Sequence, residues 1–323
     1  MPSPVLDIQN LCVTYGDMLA LDDINLAVNA GEIVGLIGPN GAGKTTLIKA
    51  LCGRVKASTG TFLIDNTPLH HGRNRQQLLG LVPQDIGLYG HMSARENLIA
   101  FAKIMGMKNR QTRATSVNAA LDAVDLKHKA DERVSALSGG MKRRINVAAA
   151  IMHGPRILIL DEPTAGADAP ARDTVHRLAR SIAQTGTAVL LVTHELEQAE
   201  ALCDKVLLLA RGRNLAYAPP TEILTKCFGD TREVMLRFNS PPSPAALSAL
   251  SAYKFTEGDD PTIQTTMIHN HDENQITKIM NAVRKEDKAV LEISIRRPGL
   301  PHLMHILEKT GELPQHIPVT SPC

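Results

Sequence analysis

The stretch GPNGAGKTT, Gly38 to Thr46, restricts the possible folds of this 323-residue chain more than any other. It fits the pattern G-x-x-x-x-G-K-[ST] from Gly38 to Thr45, behind the apolar run Ile33–Ile37 and ahead of residues that favour helix. Strand, loop and helix in that order are the setting in which such a pattern is a phosphate loop. Glycines permit the tight turn, and backbone N–H groups ring the phosphates. The expected cradle is Gly38, Pro39, Asn40, Gly41, Ala42, Gly43, Lys44, Thr45 and Thr46. Within it Lys44 neutralises the terminal phosphates and the Thr45 hydroxyl ligates Mg²⁺.

A second stretch of anion-binding character, LSGGMKRRINVAAA from Leu137 to Ala150, opens on a hydroxyl and two glycines before a helix-favouring run. A helix start exposes unpaired N–H groups at the positive end of its dipole, and Ser138, Gly139 and Gly140 let an anion approach the backbone. The first loop already serves the phosphates of one nucleotide. The second therefore has no evident ligand in its own chain.

Polar groups gather at strand ends. The run ILILDE, Ile157 to Glu162, delivers two adjacent acids at the end of an apolar strand. Asp161 is expected to hold Mg²⁺ through water, and Glu162 to polarise the water that attacks the γ-phosphate. Two further apolar runs, Leu79–Val82 and Ala188–Val192, lead to Gln84 and His194. Ligands of open parallel sheets bind outside the carboxyl ends of the strands, so Gln84, Asp161, Glu162 and His194 are expected in one crevice. Tyr15, on an early strand, is a candidate to stack on adenine, a contact worth about 1–3 kcal/mol.

The apolar patterning indicates an α/β fold, and the phosphate-loop motif makes the P-loop NTPase kind the expected one. Continuous apolar runs at 33–37, 79–82, 157–160, 188–192 and 206–209 suit strands buried on both faces of a parallel sheet. Helical stretches at 45–52, 141–152 and 171–184 separate them. Ile24, Leu26 and Val28 alternate with Asn25 and Ala27, the period of a half-buried strand in an antiparallel opening. Between Gln84 and Leu137 the pattern is helical alone: Ser93-Ala94-Arg95-Glu96 has the capping-box form, and Leu98, Ile99, Phe101, Ala102 and Met105 follow at helical spacing. The expected architecture is a mostly parallel core sheet with an antiparallel β subdomain and a helical insert (about 85–137), all within a domain of residues 1–226. A small C-terminal α+β domain, 227–323, follows the proline-punctuated segments Ala218-Pro219-Pro220 and Ser240-Pro241-Pro242-Ser243-Pro244. Its expected strands are 233–238, 262–269 and 289–295, its helices 273–284 and 303–309, and His269-Asn270-His271 reads as a loop or strand end.

Composition removes several function classes. A net charge of +2 supplies no basic footprint for nucleic acid, and Lys142, Arg143 and Arg144 read as a solvated helix face beside a phosphate site. Five scattered cysteines, none in C-x-x-C, argue against a disulfide framework and a zinc site and fit a reducing cytosol. No basic-then-apolar leader opens the sequence, and no apolar run reaches the roughly 18–20 residues that span a bilayer, so a membrane role is expected to run through a partner.

In their order these motifs resemble the ATP-binding subunits of ABC transporters, from Val5 to about Leu224. The matching parts are an aromatic loop at Tyr15, Walker A at Gly38–Thr45, a Q-loop at Gln84, the signature LSGG at Leu137–Gly140, Walker B at Ile157–Asp161, a D-loop at Asp168 and a switch histidine at His194. The resemblance implies hydrolysis of ATP with Mg²⁺, metal contacts from Thr45, Gln84 and Asp161, and catalytic roles for Glu162, His194 and Gln84. It also implies a head-to-tail dimer. In that dimer Ser138, Gly139 and Gly140 of one chain close on the γ-phosphate held by the phosphate loop of the other, with Asp168 contributing to the nucleotide site. The implied partners are a multi-span membrane permease and a second copy of the chain, or a homologous ATP-binding subunit, at the cytoplasmic face of the inner membrane. No nucleic acid partner is expected, and residues 85–107 are the expected docking surface for the permease.

LSGGMKRR, EPTAGAD and the end RRPGLPHLMHILEKTGEL are similar to the branch serving exporters of drugs, polysaccharides, lipids or haem-related cargo. The chain departs from that pattern at Ala167, where a larger apolar residue is usual, at Ala169, where proline is usual, and at Leu300-Pro301-His302, where such exporters tend to read Leu-Glu-Asp. An importer ATPase shares every catalytic motif and differs in permease type. A soluble ABC-type ATPase acting on ribosomes or nucleic acid usually carries two nucleotide domains or long coiled-coil arms, and neither is visible. No N-K-x-D motif marks a GTPase.

Overall fold

The computed structural model describes residues 3–69, 73–257, 260–269, 277–279, 281 and 290–314. The chain divides into two compact units, Met1–Pro220 and Thr221–Cys323. The sequence-based boundary at 226/227 falls inside helix α8 (Pro220–Phe228). Proline is tolerated in the first turn of a helix because the N–H it lacks has no partner there anyway. The proline pair that reads as linker punctuation thus starts a helix.

The first unit is built on a six-stranded sheet of order β10-β9-β3-β8-β7-β6. Its strands are β3 (Ile33–Ile37), β6 (Leu79–Val82), β7 (Ile157–Asp161), β8 (Ala188–Val192), β9 (Lys205–Ala210) and β10 (Arg213–Ala218). Every pairing is parallel except β9 with β10. β3 and β8 are buried at every position, which is why their sequences run apolar without alternation. Parallel strands deliver their carboxyl ends to one edge, so the segments after β3, β6, β7 and β8 emerge together.

A second, antiparallel sheet of order β2-β1-β4-β5 joins β1 (Leu6–Tyr15), β2 (Met18–Val28), β4 (Thr59–Ile64) and β5 (Thr67–Pro68). Leu6, Ile8, Leu11, Leu21 and Ile24 from this sheet share one core with Val34 and Leu36 of β3 and with Leu47 and Leu51 of α1 (Lys44–Leu51). Burial of a large aliphatic side chain contributes about 1.5–3 kcal/mol, so α1 is anchored from both sheets. The helix that begins with the phosphate-loop lysine is therefore a rigid element.

The insert contains α3 (Ala94–Ile104) and α4 (Arg110–Ala123). The capping box is formed as expected: Ser93 Oγ accepts from Glu96 N–H at 3.1 Å, and Glu96 Oε2 from Ser93 N–H at 2.7 Å. Asn97 in the first turn is fully buried. Its Oδ1 accepts from Tyr89 N–H at 2.8 Å, and its Nδ2 donates to Tyr89 C=O and Ser93 C=O at 3.0 and 2.9 Å. One side chain thereby holds both polar groups of Tyr89 in the loop behind Gln84. The remaining helices of this unit are α2 (Arg73–Leu78), α5 (Gly139–Ile151), α6 (Ala169–Gln184) and α7 (Leu196–Leu202).

The second unit is α+β. Its sheet has the order β12-β13-β11-β14, with β11 (Thr231–Phe238), β12 (Thr256–Glu257), β13 (Ile263–His269) and β14 (Val290–Arg296). Helices α9 (Pro244–Ser251) and α10 (Leu300–Thr310) accompany it, and Val234, Leu236, Phe238, Leu250 and Ile268 form its core. Ser243 caps α9 by accepting from Ala246 N–H at 3.2 Å, so the Ser-Pro run ends in a helix start. Asn270, His271 and most of the helix expected at 273–284 lie outside the described residues, of which 277–279 and 281 are helical. On β11, Glu233 is buried. Its Oε2 accepts from Arg296 Nε at 2.8 Å, and its Oε1 lies 3.1 Å from His302 Nδ1. The His302 contact first, and Arg296 with it, hold the carboxyl below its ordinary range against the opposing effect of burial.

Candidate functional site

The carboxyl ends of β3, β6, β7 and β8 open on a cleft of about 610 Å³. Asn40, Gly41, Ala42, Gly43, Lys44, Thr45 and Thr46 line it, together with Gln84, Asp161, Glu162 and His194. The four strand-end residues expected to converge are thus in one place. Gly38 and Pro39 are outside the lining, and their carbonyls accept from Lys44 Nζ at 2.5 and 3.1 Å. Gly38 and Gly43 have no room for a side chain: a Cβ on Gly38 would stand 2.1 Å from Leu209 C=O, and one on Gly43 would stand 2.6 Å from Leu21 Cδ2. Gly43 also has φ 108°, a conformation that L side chains rarely adopt.

The two acids have different surroundings. Burial raises the pKa of Asp161, offset in part by the Lys44 ammonium. Burial raises that of Glu162 as well, with His194 the largest opposing influence. Glu162 has φ 49°, a left-handed conformation that costs of order 1–3 kcal/mol in a non-glycine residue. Its N–H donates to Val192 C=O at 2.9 Å, which ties it to the end of β8. Its Oε2 accepts from His194 N–H at 3.4 Å. Its Oε1 lies 3.2 Å from His194 Nε2 but is not aligned for a hydrogen bond. One carboxylate oxygen is thereby left with acceptor capacity beside the cleft.

Sequence reasoning missed part of the wall. Met18, Leu19, Ala20, Val192, Arg211 and Gly212 also line the cleft. Tyr15 is 42% exposed, pairs with Met18 across the β1–β2 turn and is not part of the lining, whereas Met18 and Leu19 are apolar, exposed and part of it. The signal available was an apolar Met-Leu pair at a hairpin start, where a strand normally turns polar. Gly212 donates its N–H to Ala42 C=O at 3.0 Å and accepts from Asp22 N–H at 2.8 Å, so the β9–β10 turn fastens the phosphate loop to β2.

Ser138, Gly139, Gly140 and Asp168 stand elsewhere, in a second hollow of about 690 Å³ that Ile86 and Arg143 also line. Ser138 Oγ caps α5 by accepting from Met141 N–H at 3.3 Å, and Asp168 Oδ1 caps α6 by accepting from Ala171 N–H at 3.0 Å. Behind Asp168, Arg172 and Thr164 hold Glu195, the neighbour of His194, at 3.3 and 3.0 Å.

Among the described residues no group of three or more His, Cys, Asp or Glu side chains is arranged to hold a metal ion. The cleft instead collects a hydroxyl at Thr45, an amide at Gln84 and a carboxylate at Asp161. This all-oxygen set fits a small hard cation that keeps waters and shares phosphate oxygens. Among the same residues no helix is long and apolar enough to cross a membrane.

The family model described as ABC transporter matches residues 21–165. The chain is 39% identical over 256 residues to the Nod factor export ATP-binding protein I of Burkholderia orbicola (strain AU 1054), covering 78% of this chain and 82% of that protein. It is 29% identical over 309 residues to the linearmycin resistance ATP-binding protein of Bacillus subtilis (strain 168), covering 95% and 98%. Among solved structures it is similar to cbiO1 from Clostridium perfringens, part of the ABC transporter complex cbiONQ, with a TM-score of 0.65 at 29% identity over 70% of this chain and 92% of that one. An ATP-binding cassette of an ABC transporter in its ADP conformation shares the fold, with a TM-score of 0.62 at 23% identity over 68% and 93%.

Proposed function

Because this chain belongs to the ATP-binding subunits of ABC transporters, we propose that it is the ATPase of an exporter, dimerising around two Mg²⁺-bound ATP molecules and driving a separate multi-span permease. As a member of that family it binds and hydrolyses ATP. The name of the Nod factor export relatives supports the outward direction. A position on the cytoplasmic face of the inner membrane follows from that role.

The observation that carries this reading is the separation of the two hollows on one chain. A γ-phosphate cradled by Lys44 in one chain would meet Ser138, Gly139 and Gly140 only if a second copy supplied them. Closure then depends on the triphosphate: with the γ-phosphate in place, the positive start of α5 in the opposite copy gains a charge-assisted contact, and after hydrolysis it does not. A ligand shifts a conformational equilibrium by such a difference in affinity.

Within the cleft each residue has a separate task. Thr45, Asp161 and Gln84 would hold Mg²⁺, which neutralises charge between the β- and γ-phosphates when bound. Lys44 stabilises the terminal phosphates. Glu162 orients the attacking water and accepts its proton as the bond to the γ-phosphorus forms and that to the leaving oxygen breaks. His194 steadies the Glu162 carboxylate. Adenine packs on the apolar side chains of Met18 and Leu19 with Tyr15 at the margin. Residues 85–107 dock the permease; in that span Tyr89 and Ile104 are 49% and 68% exposed.

The test is the oligomeric state of Glu162→Gln, which should retain ATP, lose turnover by orders of magnitude and accumulate as a nucleotide-bound dimer. Strictly monomeric wild-type and variant proteins at saturating Mg²⁺-ATP, with and without the permease, would refute the dimer. Near-normal hydrolysis by the variant would refute the role of Glu162.

A further inference from the structure

Arg143 lies in the second turn of α5, on the hollow that contains Ser138, and its guanidinium reaches the backbone of the nucleotide cleft. Nη1 donates to Gln84 C=O at 3.1 Å and to Glu162 C=O at 3.2 Å, and Nη2 donates to Ala165 C=O at 2.7 Å. Two of these three residues, Gln84 and Glu162, line the cleft. A planar fork of donors suits one side chain to several carbonyls at once, which a lysine ammonium does not reproduce.

The Glu162 carbonyl is a notable target. It belongs to the peptide joining Glu162 to Pro163, which has no N–H, so this oxygen is the only hydrogen-bonding group of that peptide. Glu162 itself is in the left-handed region, a state that persists only when its surroundings over-determine it. Val192 fixes its N–H side; its C=O side is held by the Ala165 N–H at 3.2 Å within the same turn and by Arg143 from outside it. Loss of Arg143 leaves only the turn bond from Ala165 on the C=O side, which loosens the aim of the carboxylate.

We propose that Arg143 is a positioning residue for ATP hydrolysis: by gripping the carbonyls of Gln84, Glu162 and Ala165 it keeps the Gln84 and Glu162 side chains aimed into the cleft. It thereby makes the aim of Glu162 depend on the placement of α5, the helix that carries the signature stretch. This rests on Glu162 being the residue that orients the attacking water. In this role Arg143 acts through those three carbonyls.

The experiment measures equilibrium ATP affinity, kcat and thermal unfolding for full-length Arg143→Gln and Arg143→Lys, and the single-turnover rate of Arg143→Gln combined with Glu162→Gln. Arg143→Gln should keep ATP affinity within about twofold and lose kcat by about tenfold or more, since misplacing a catalytic group costs rate without costing substrate binding. Arg143→Lys should fall between it and wild type. In the Glu162→Gln background the second substitution should cost much less than it does alone, because the effect through the Glu162 carboxylate is already lost and only the aim of Gln84 remains. Wild-type kcat in both Arg143 variants, ATP affinity falling in step with kcat, or a full additional loss in the double variant would overturn the proposal. If Arg143→Gln unfolds early, Arg143→Lys decides: reduced kcat at unchanged affinity supports the role and wild-type kcat overturns it. Near-normal hydrolysis by Glu162→Gln alone would instead remove the premise about Glu162, an outcome read independently of Arg143.

Discussion

Nε2 of His194 lies 3.2 Å from Oε1 of Glu162, at the carboxyl edge of the parallel sheet, and the His194 N–H donates to the other oxygen of the same carboxylate. The histidine thus opposes the burial that raises the Glu162 pKa above its ordinary value of 4.5.

In the role proposed for it, only ionised Glu162 orients and deprotonates water, so the acid limb of kcat should lie above the range of an exposed glutamate. His194→Ala removes the largest opposing influence and should move that limb to still higher pH while lowering the plateau. A kcat profile against pH for both proteins checks this, and an unmoved or lowered limb in the variant contradicts the pairing.

The shared-site arrangement predicts complementation. A chain carrying Ser138→Arg and one carrying Lys44→Ala should each be inactive alone. When the two are mixed, one composite site keeps a native phosphate loop facing a native signature stretch, so activity should return. A mixture as inactive as its components would count against the arrangement.

Gly212 has φ 75°, and a Cβ there would stand 2.6 Å from Ala20 C=O. Gly212→Ala should destabilise the first unit by about 1–3 kcal/mol through backbone strain and displacement of β2. Because the Gly212 N–H holds the phosphate loop at Ala42, the same variant should bind ATP more weakly. Denaturant unfolding and equilibrium nucleotide binding measure the two effects separately.

In the second unit, Glu233 has a folded pKa below its unfolded value, because His302 and Arg296 favour the carboxylate. Its stabilising contribution is complete above the unfolded value and is lost as pH falls through the lowered folded value. Glu233→Gln should cost about 1–3 kcal/mol near neutral pH and make the acid loss of stability shallower. Urea unfolding at a series of pH values tests both statements.

The sheet was legible because its strands are continuous apolar runs: Ile33–Ile37, Leu79–Val82 and Ala188–Val192 have the bounds their hydrophobicity suggests. The convergence of Gln84, Asp161, Glu162 and His194 was legible for the same reason, since parallel strands fix which ends meet. Met18, Leu19 and Arg211 were not, because they reach the cleft through a hairpin and a turn whose placement depends on tertiary packing. The division at Pro220 was obscured because a proline pair has the same local signature in a linker and in a first helical turn. Arg143 reads as a solvated charge until its three carbonyl partners, remote in sequence, are seen together.

Asn97 clasps the backbone of Tyr89 from both sides, and that gives the stretch behind Gln84 the stiffness of a strut. Were the permease to dock on residues 85–107 as proposed, softening this one amide would leave the motor running out of gear, consuming fuel with little work done at the far end.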